Sequence, residues 1–320
     1  MSSRARADLA FKTTVESTRR RRTLWGDVWA RLRRNRAATA GLIVIILMYL
    51  TAIFAPLIAP YEYDKIDLEN VRAGPSPDHL LGTDELGRDV FSRIVWAARS
   101  AAFVSIAVTL VGLSLGIFFG VLSGYFGGWI DTLIMRIGDV LFAFPGLLFV
   151  FFIAATIKPG LIAWVKNIGL RDLARSGYVD YLVVIIALGL VGWPGMARLI
   201  RGQLLSLKKR EYVLAAQAIG APTRRIMIRH LLPNAMPPVI VAVSGGMGGI
   251  ILSEATLSFL GIGLQPPNPS WGAMLYQYYG YWRTGLWPLL FIPAFVLVII
   301  VLAFSFLGDG LNEALNPQLD

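Results

Sequence analysis

The chain contains no cysteine in its 320 residues. Disulfide bridges, thiolate metal sites and thiol catalysis are therefore excluded, although the compartment stays open. Charge is scarce as well. Asp, Glu, Lys and Arg make up 16% of the chain, against about 25% in an average soluble domain. No lysine follows a glycine, so the phosphate loop G-x-x-x-x-G-K-[ST] is missing. Any nucleotide-derived energy must then come from elsewhere. A cleavable signal peptide is not expected, because the N-terminal basic region is too long and the apolar run after it is full length.

What fills the space is apolar. The chain is 56% hydrophobic with mean hydropathy +0.61, and a single soluble domain has no need of several runs of membrane-spanning length. The net charge of +10 is clustered: 11 Lys/Arg fall in residues 1–38 and 8 in residues 198–235. Basic clusters beside apolar runs mark the cytosolic side of a bilayer, so this charge is read as topology rather than nucleic-acid binding. The reading is an all-α integral membrane protein in the cell (inner) membrane, with six transmembrane helices and both termini cytoplasmic.

Residues 1–37 form a basic tail in which Trp25, Val28, Trp29 and Leu32 recur at helical spacing. This is either an amphipathic helix lying on lipid or a plain topology anchor. The first span is expected at 38–60, ended by Pro56 and Pro60. Residues 61–97 are acid-rich, which places this loop outside. Inside it, Asp84/Arg88 and Asp89/Arg93 are spaced i,i+4 as ion pairs on a short helix. They either rigidify the loop or touch substrate; no metal-ligand set or nucleophile–base pair stands here. The core, 98–308, opens with a Gly/Ser-rich span at 101–125, whose small residues predict close helix packing. A third span at 131–157 holds Arg136 and Asp139, with a kink at Pro145. Charges within spans are costly, so these two are either pathway residues or an ion pair or snorkelling groups near the cytosolic end. Residues 158–180 are expected as an external loop carrying a short interfacial helix over 162–170. Spans at 181–200, 235–259 and 287–307 follow, with a cytosolic tail at 309–320. Glu254, near the outer end of the fifth span, either lines the pathway or bonds backbone at a helix break.

Between the fourth and fifth spans lies a basic loop, 201–234, containing EYVLAAQAIGAPTRRIMIRHLLP from Glu211 to Pro233. Tyr212, Ala215, Ala216 and Ile219 share one helical face, small enough to dock on another protein. Gly220 and Pro222 stop that helix. Thr223 is expected to cap a second helix, which Pro233 ends.

This loop resembles the E-A-A, three residues, Gly, nine residues, I-x-L-P pattern of ABC importer permeases. Ala215, Ala216, Gly220, Leu232 and Pro233 match it; Leu214 and His230 depart from it. Glu211 with Tyr212 is similar to the variant in the dipeptide/oligopeptide/nickel permeases. Leu81–Arg93, LGTDELGRDVFSR, resembles the external segment of the same family, and LSFLGIG followed by PPNPSWGAML resembles a third of its segments. The resemblance covers most of the chain, from about Leu81 to Asp309. It implies a non-catalytic permease subunit of an ATP-driven importer, forming half of a pore for short peptides or a related solute. Its implied partners are a paralogous permease, two ABC ATPase domains carrying ATP and Mg, and an external solute-binding protein. Residues 211–220 would be the coupling helix, and the chain itself binds no cofactor. The competing class, a secondary transporter or channel, calls for paired broken helices or proton-relay charges at mid-depth, neither of which is evident.

Overall fold

The computed structural model describes residues 24–284 and 286–315. The remaining ends of the two expected tails, including Arg19–Arg22, lie outside the described residues. Among the described residues there is no strand, only an isolated bridge between Thr83 and Asp89. The helices are α1 (Leu24–Leu32), α2 (Arg36–Ile53), α3 (Ala55–Ile58), α4 (Val90–Phe126), α5 (Gly128–Phe142), α6 (Gly146–Asn167), α7 (Arg171–Arg175), α8 (Tyr178–Leu207), α9 (Glu211–Ala218), α10 (Thr223–Phe259), α11 (Trp271–Tyr278) and α12 (Trp287–Leu315). Among the described residues α2, α4, α6, α8, α10 and α12 are long and apolar enough to cross a membrane. They leave large apolar side chains such as Leu47, Phe118, Phe152 and Phe295 exposed, as expected where the surrounding solvent is lipid.

Local chemistry sets the boundaries. Asn35 caps α2 by accepting from the Ala38 N–H at 3.0 Å. Asp89 caps α4 by accepting from the Ser92 N–H at 2.7 Å. The expected third span is broken in two. Phe144 precedes a proline and is steered out of helical geometry, so α5 ends at Phe142 and Pro145 becomes the N-cap of α6. The predicted kink is thus a full interruption, and Arg136 and Asp139 lie on the separate helix α5. The loop expected over 158–180 is mostly helix too, since α6 runs through Pro159 to Asn167.

Helix α10 corrects another expectation. It starts at Thr223 behind Pro222 and does not end at Pro233. Residues Ile226–Leu231 form a π-helical stretch just ahead of that proline. The wider π turn accommodates a ring that would collide with the carbonyl four residues back in a regular helix. Helix α12 likewise continues past the expected end of its span to Leu315. There Asn35 Nδ2 donates to Glu313 Oε2 at 2.8 Å.

Helices α4 and α8 make the most extensive pairing. The small residues of α4 supply the contact: Gly116, Gly120 and Gly124 lie against Met196, Ala197 and Leu204. A Cβ on Gly120 would stand 2.8 Å from the Ala197 carbonyl oxygen, so the helices meet backbone to backbone. One apolar cluster joins α2, α4, α10, α11 and α12 around Trp271, Tyr278 and Phe304; a second joins α4, α6 and α8 around Val104, Ala154 and Val184.

Candidate functional site

The segment between α3 and α4 folds as a cap over one end of the bundle, and the Asp84 carboxylate gathers most of its buried polar contacts. Asp84 Oδ2 accepts from Arg88 Nε at 2.8 Å and from Arg93 Nη1 at 2.6 Å, while Asp84 Oδ1 takes the Leu86 and Arg88 N–H groups at 2.9 and 3.0 Å. Arg93 also donates to Tyr278 Oη at 2.6 Å and to Gln277 Oε1 at 2.9 Å, which ties the cap to α11. All three ionic groups are buried. The expected Asp84/Arg88 pair is therefore present, but in a turn rather than on a helix. The Asp89/Arg93 pair is not. Asp89 caps α4 and its Oδ1 meets His79 Nδ1 at 3.0 Å, and Arg93 turns to Asp84. All four residues are buried and bonded to groups of the chain itself.

At the opposite end of α4, residues 208–222 form the loop between α8 and α10. Helix α9 ends in the expected left-handed glycine, Gly220 at φ +76°. The Ala221 N–H bonds to Ala216 O at 3.0 Å and the Gly220 N–H to Gln217 O at 2.9 Å, a Schellman closure. The predicted docking face needs one correction. Ala216 is turned inward with Val213, against Ile200, Leu204 and Leu231. Glu211, Tyr212, Leu214, Ala215, Ile219 and Gly220 are exposed, Ile219 at 86%. The loop is also tied to the end of α4, because Lys208 Nζ donates to Gly124 O at 3.3 Å and Tyr125 Oη to Thr223 Oγ1 at 3.3 Å.

The three charged residues singled out within spans do not converge. Arg136 is exposed on α5. Asp139 pairs not with Arg136 but with Arg198 Nη2 at 2.6 Å, beside a second α5–α8 bridge from Arg201 Nη2 to Asp131 Oδ2 at 2.6 Å. Glu254 is buried, and its Oε1 accepts from Ser258 Oγ at 2.7 Å and Ser270 Oγ at 2.9 Å. It bonds side-chain hydroxyls, not free backbone, and fastens α11 to the end of α10. Ser258 lies at i+4 from Glu254 and was findable in the sequence; Ser270, Gln277 and Arg198 come from distant segments and were not.

None of these three lines the cavity in the middle of the bundle. That cavity, about 510 Å³, opens between α4, the start of α6, α8 and α10. Gly112, Gly146, Gly192 and Gly246 keep it open, and Thr109 and Ser253 are its hydroxyl-bearing residues. Among the described residues no charged side chain lines it. Thr109 Oγ1 is buried without a hydrogen-bond partner.

A bundle of lipid-exposed helices around an uncharged mid-span cavity, capped at one end and carrying an exposed helical loop at the other, defines a multi-pass membrane protein of the transport class. Comparison with known proteins narrows this. Residues 116–320 match the model for the binding-protein-dependent transport system inner membrane component, and residues 23–75 match the N-terminal TM domain of oligopeptide transport permease C. The oligopeptide transport system permease protein OppC of Bacillus subtilis (strain 168) is 40% identical over 303 residues, covering 93% of this chain and 90% of that protein. The glutathione transport system permease protein GsiD of Escherichia coli O157:H7 is 39% identical over 299 residues, covering 93% and 92%. A structure of the MetNI methionine ABC transporter in inward-facing conformations shares the fold, with TM-score 0.50 and 20% identity over 70% of this chain and 96% of that one. The chain belongs to the family of binding-protein-dependent transport system inner membrane components, and is a permease subunit of the ABC type.

Proposed function

We propose that this chain forms half of the translocation pore of an ATP-driven importer for short peptides. The observation that carries the reading is the uncharged cavity of about 510 Å³ inside a chain of this family. A solute with a polar backbone and varied side chains passes most readily where no fixed charge holds one side chain and rejects another. Relatives named for oligopeptide, dipeptide and glutathione transport support peptides as the solute class. In this reading a paralogous permease completes the pore. Two ABC ATPase domains hold ATP and Mg and dock on the exposed face of residues 211–220. A solute-binding protein delivers cargo to the 61–89 cap on the outside, and both termini lie in the cytoplasm. A secondary transporter would place ionisable groups in the cavity to bind its coupling ion, and its lining holds none.

The test is peptide uptake by the reconstituted complex of both permeases, the ATPases and the binding protein in liposomes. Uptake is expected to require ATP inside and binding protein outside. Gly246→Leu, which adds a side chain to the cavity at a position with no atom within 4 Å of the new Cβ, is expected to block uptake while leaving assembly intact. Uptake that follows an imposed proton or sodium gradient without ATP overturns the reading.

A further inference from the structure

A second cavity, about 330 Å³, sits beside the cap between the first turns of α4 and α8 and the loop after α10. Its walls are aromatic. Tyr63 meets Trp96 edge-on at 5.4 Å, and Phe103 meets Tyr181 edge-on at 5.7 Å. Tyr181 is fixed by its hydrogen bond with Ser100 at 2.6 Å, and Asn268 by its donation to Gly177 O at 3.0 Å. The charged lining residue is Arg99. It is exposed, and its guanidinium lies 5.6 Å from the Trp96 ring centroid. Arg88 and Arg93 are held by the Asp84 carboxylate, and Arg72 donates to the Tyr281 hydroxyl at 3.3 Å. Arg99 has no carboxylate within ion-pair distance among the described residues; Asp180, which falls between the lining residues Tyr178 and Tyr181 in the chain, is taken by Lys158 at 2.8 Å.

What lies below Arg99 indicates what it holds. Phe103, Ile106 and Leu110 follow it at spacings of four, three and four residues, which is one stripe of α4. All three are exposed, at 56%, 43% and 57%. A cation at the top of a span, rimmed by tyrosines and a tryptophan and continued downward by bare apolar surface, matches an amphiphile with an anionic head and a hydrocarbon tail. A peptide carboxylate would satisfy Arg99 and leave the stripe uncovered. A protein helix would cover the stripe and need its own carboxylate for Arg99.

We propose that this cavity is a binding site for the phosphate headgroup of a glycerophospholipid in the leaflet nearer the cap. Arg99 holds the phosphate, the tyrosine and tryptophan rings pack around the headgroup, and an acyl chain lies along Phe103, Ile106 and Leu110. The proposal rests on the bilayer placement of α4 and is independent of the solute or the energy source.

The experiment replaces Phe103 by the photo-crosslinking residue p-benzoylphenylalanine in the assembled transporter and irradiates it in native membranes. The intact mass of this chain is then measured. A mass increase of one phospholipid is expected. Arg99→Gln is expected to lower the yield about tenfold or more, from loss of a charge-assisted bond, and Arg99→Lys to keep part of it. A cross-link to another protein chain would show that a partner covers the stripe and would overturn the proposal. So would a cross-link to a labelled tripeptide supplied with the binding protein. A lipid adduct whose yield is unchanged in Arg99→Gln would mean bulk lipid at the stripe and no headgroup site.

Discussion

Asp84 shows how much of the cap depends on one oxygen pair. Replacing it with Asn leaves Arg88 and Arg93 buried against a neutral partner, and breaking a buried pair costs about 3–5 kcal/mol. Asp84→Asn is therefore expected to shift the unfolding of the purified subunit to markedly lower temperature and to loosen the cap, seen as faster protease cleavage within 61–89. Glu254 gives a graded version. Glu254→Gln keeps an acceptor for Ser258 and Ser270, whereas Glu254→Leu strands two buried hydroxyls at about 1–3 kcal/mol each. Heating followed by size-exclusion should rank wild type and Gln well above Leu. The Asp84/Arg88 pair was legible in the sequence because i,i+4 partners are near neighbours in a turn as well as in a helix. Asp89/Arg93 was misread on the same rule. Asp89 is the first residue outside α4, so its side chain folds back to the Ser92 N–H instead of reaching along the helix. Nothing local announced that Arg93 would cross to Gln277 and Tyr278.

For the elements, the loop that carries α9 separates what periodicity can and cannot say. The helix, its glycine stop and its place between two spans were all readable. Which side faces the chain's own bundle was not, because Val213 and Leu214 give α9 apolar residues on both sides. Tertiary packing chose Val213 and Ala216 for burial. The mutational expectation changes accordingly. Ile219→Asp and Ala215→Glu alter exposed positions and should weaken ATPase co-purification, by about 2 kcal/mol or thirtyfold if Ile219 anchors the contact, with the subunit's own stability unchanged. Ala216→Glu should instead lower the yield of folded subunit, since it buries a charge. Equal ATPase retention in Ile219→Asp, Ala215→Glu and wild type would leave residues 211–220 without a docking role. Between α4 and α8, Gly120→Val forces a branched side chain into a backbone contact. It is expected to cost about 1–3 kcal/mol, measurable as lower thermal stability. The break at Phe144–Pro145 was signalled by its proline but read as a bend. Its cause is the residue before the proline, which weakens the helix one position earlier.

At the scale of the whole molecule, hydropathy delivered six spans because each apolar run is about long enough to cross the hydrocarbon core, and positive clusters supplied an orientation that labelling can check. Single cysteines at Ser76 and Lys166, both exposed, are expected to react with an impermeant reagent from outside intact cells, and one at Ser206 only after permeabilisation. Ser270, an obvious choice from sequence, is buried and unsuitable. Reaction at Ser206 in intact cells would invert the topology. The mid-span cavity was not legible, because its lining comes from single small residues on four helices, each unremarkable in its own run. One further consequence follows from α4. Its 37 unbroken residues span about 55 Å at roughly 1.5 Å each, far beyond the ~30 Å hydrocarbon core. The cap is joined to one end through Asp89, and the loop over 208–222 is tied to the other through Gly124 and Tyr125. A rod held this way at both tips is expected to move as a seesaw. A tilt of about 5° about its middle carries each tip some 2.4 Å in opposite directions, given that length. Spin-label distances measured from α12 to the two tips should therefore change in antiphase through the transport cycle.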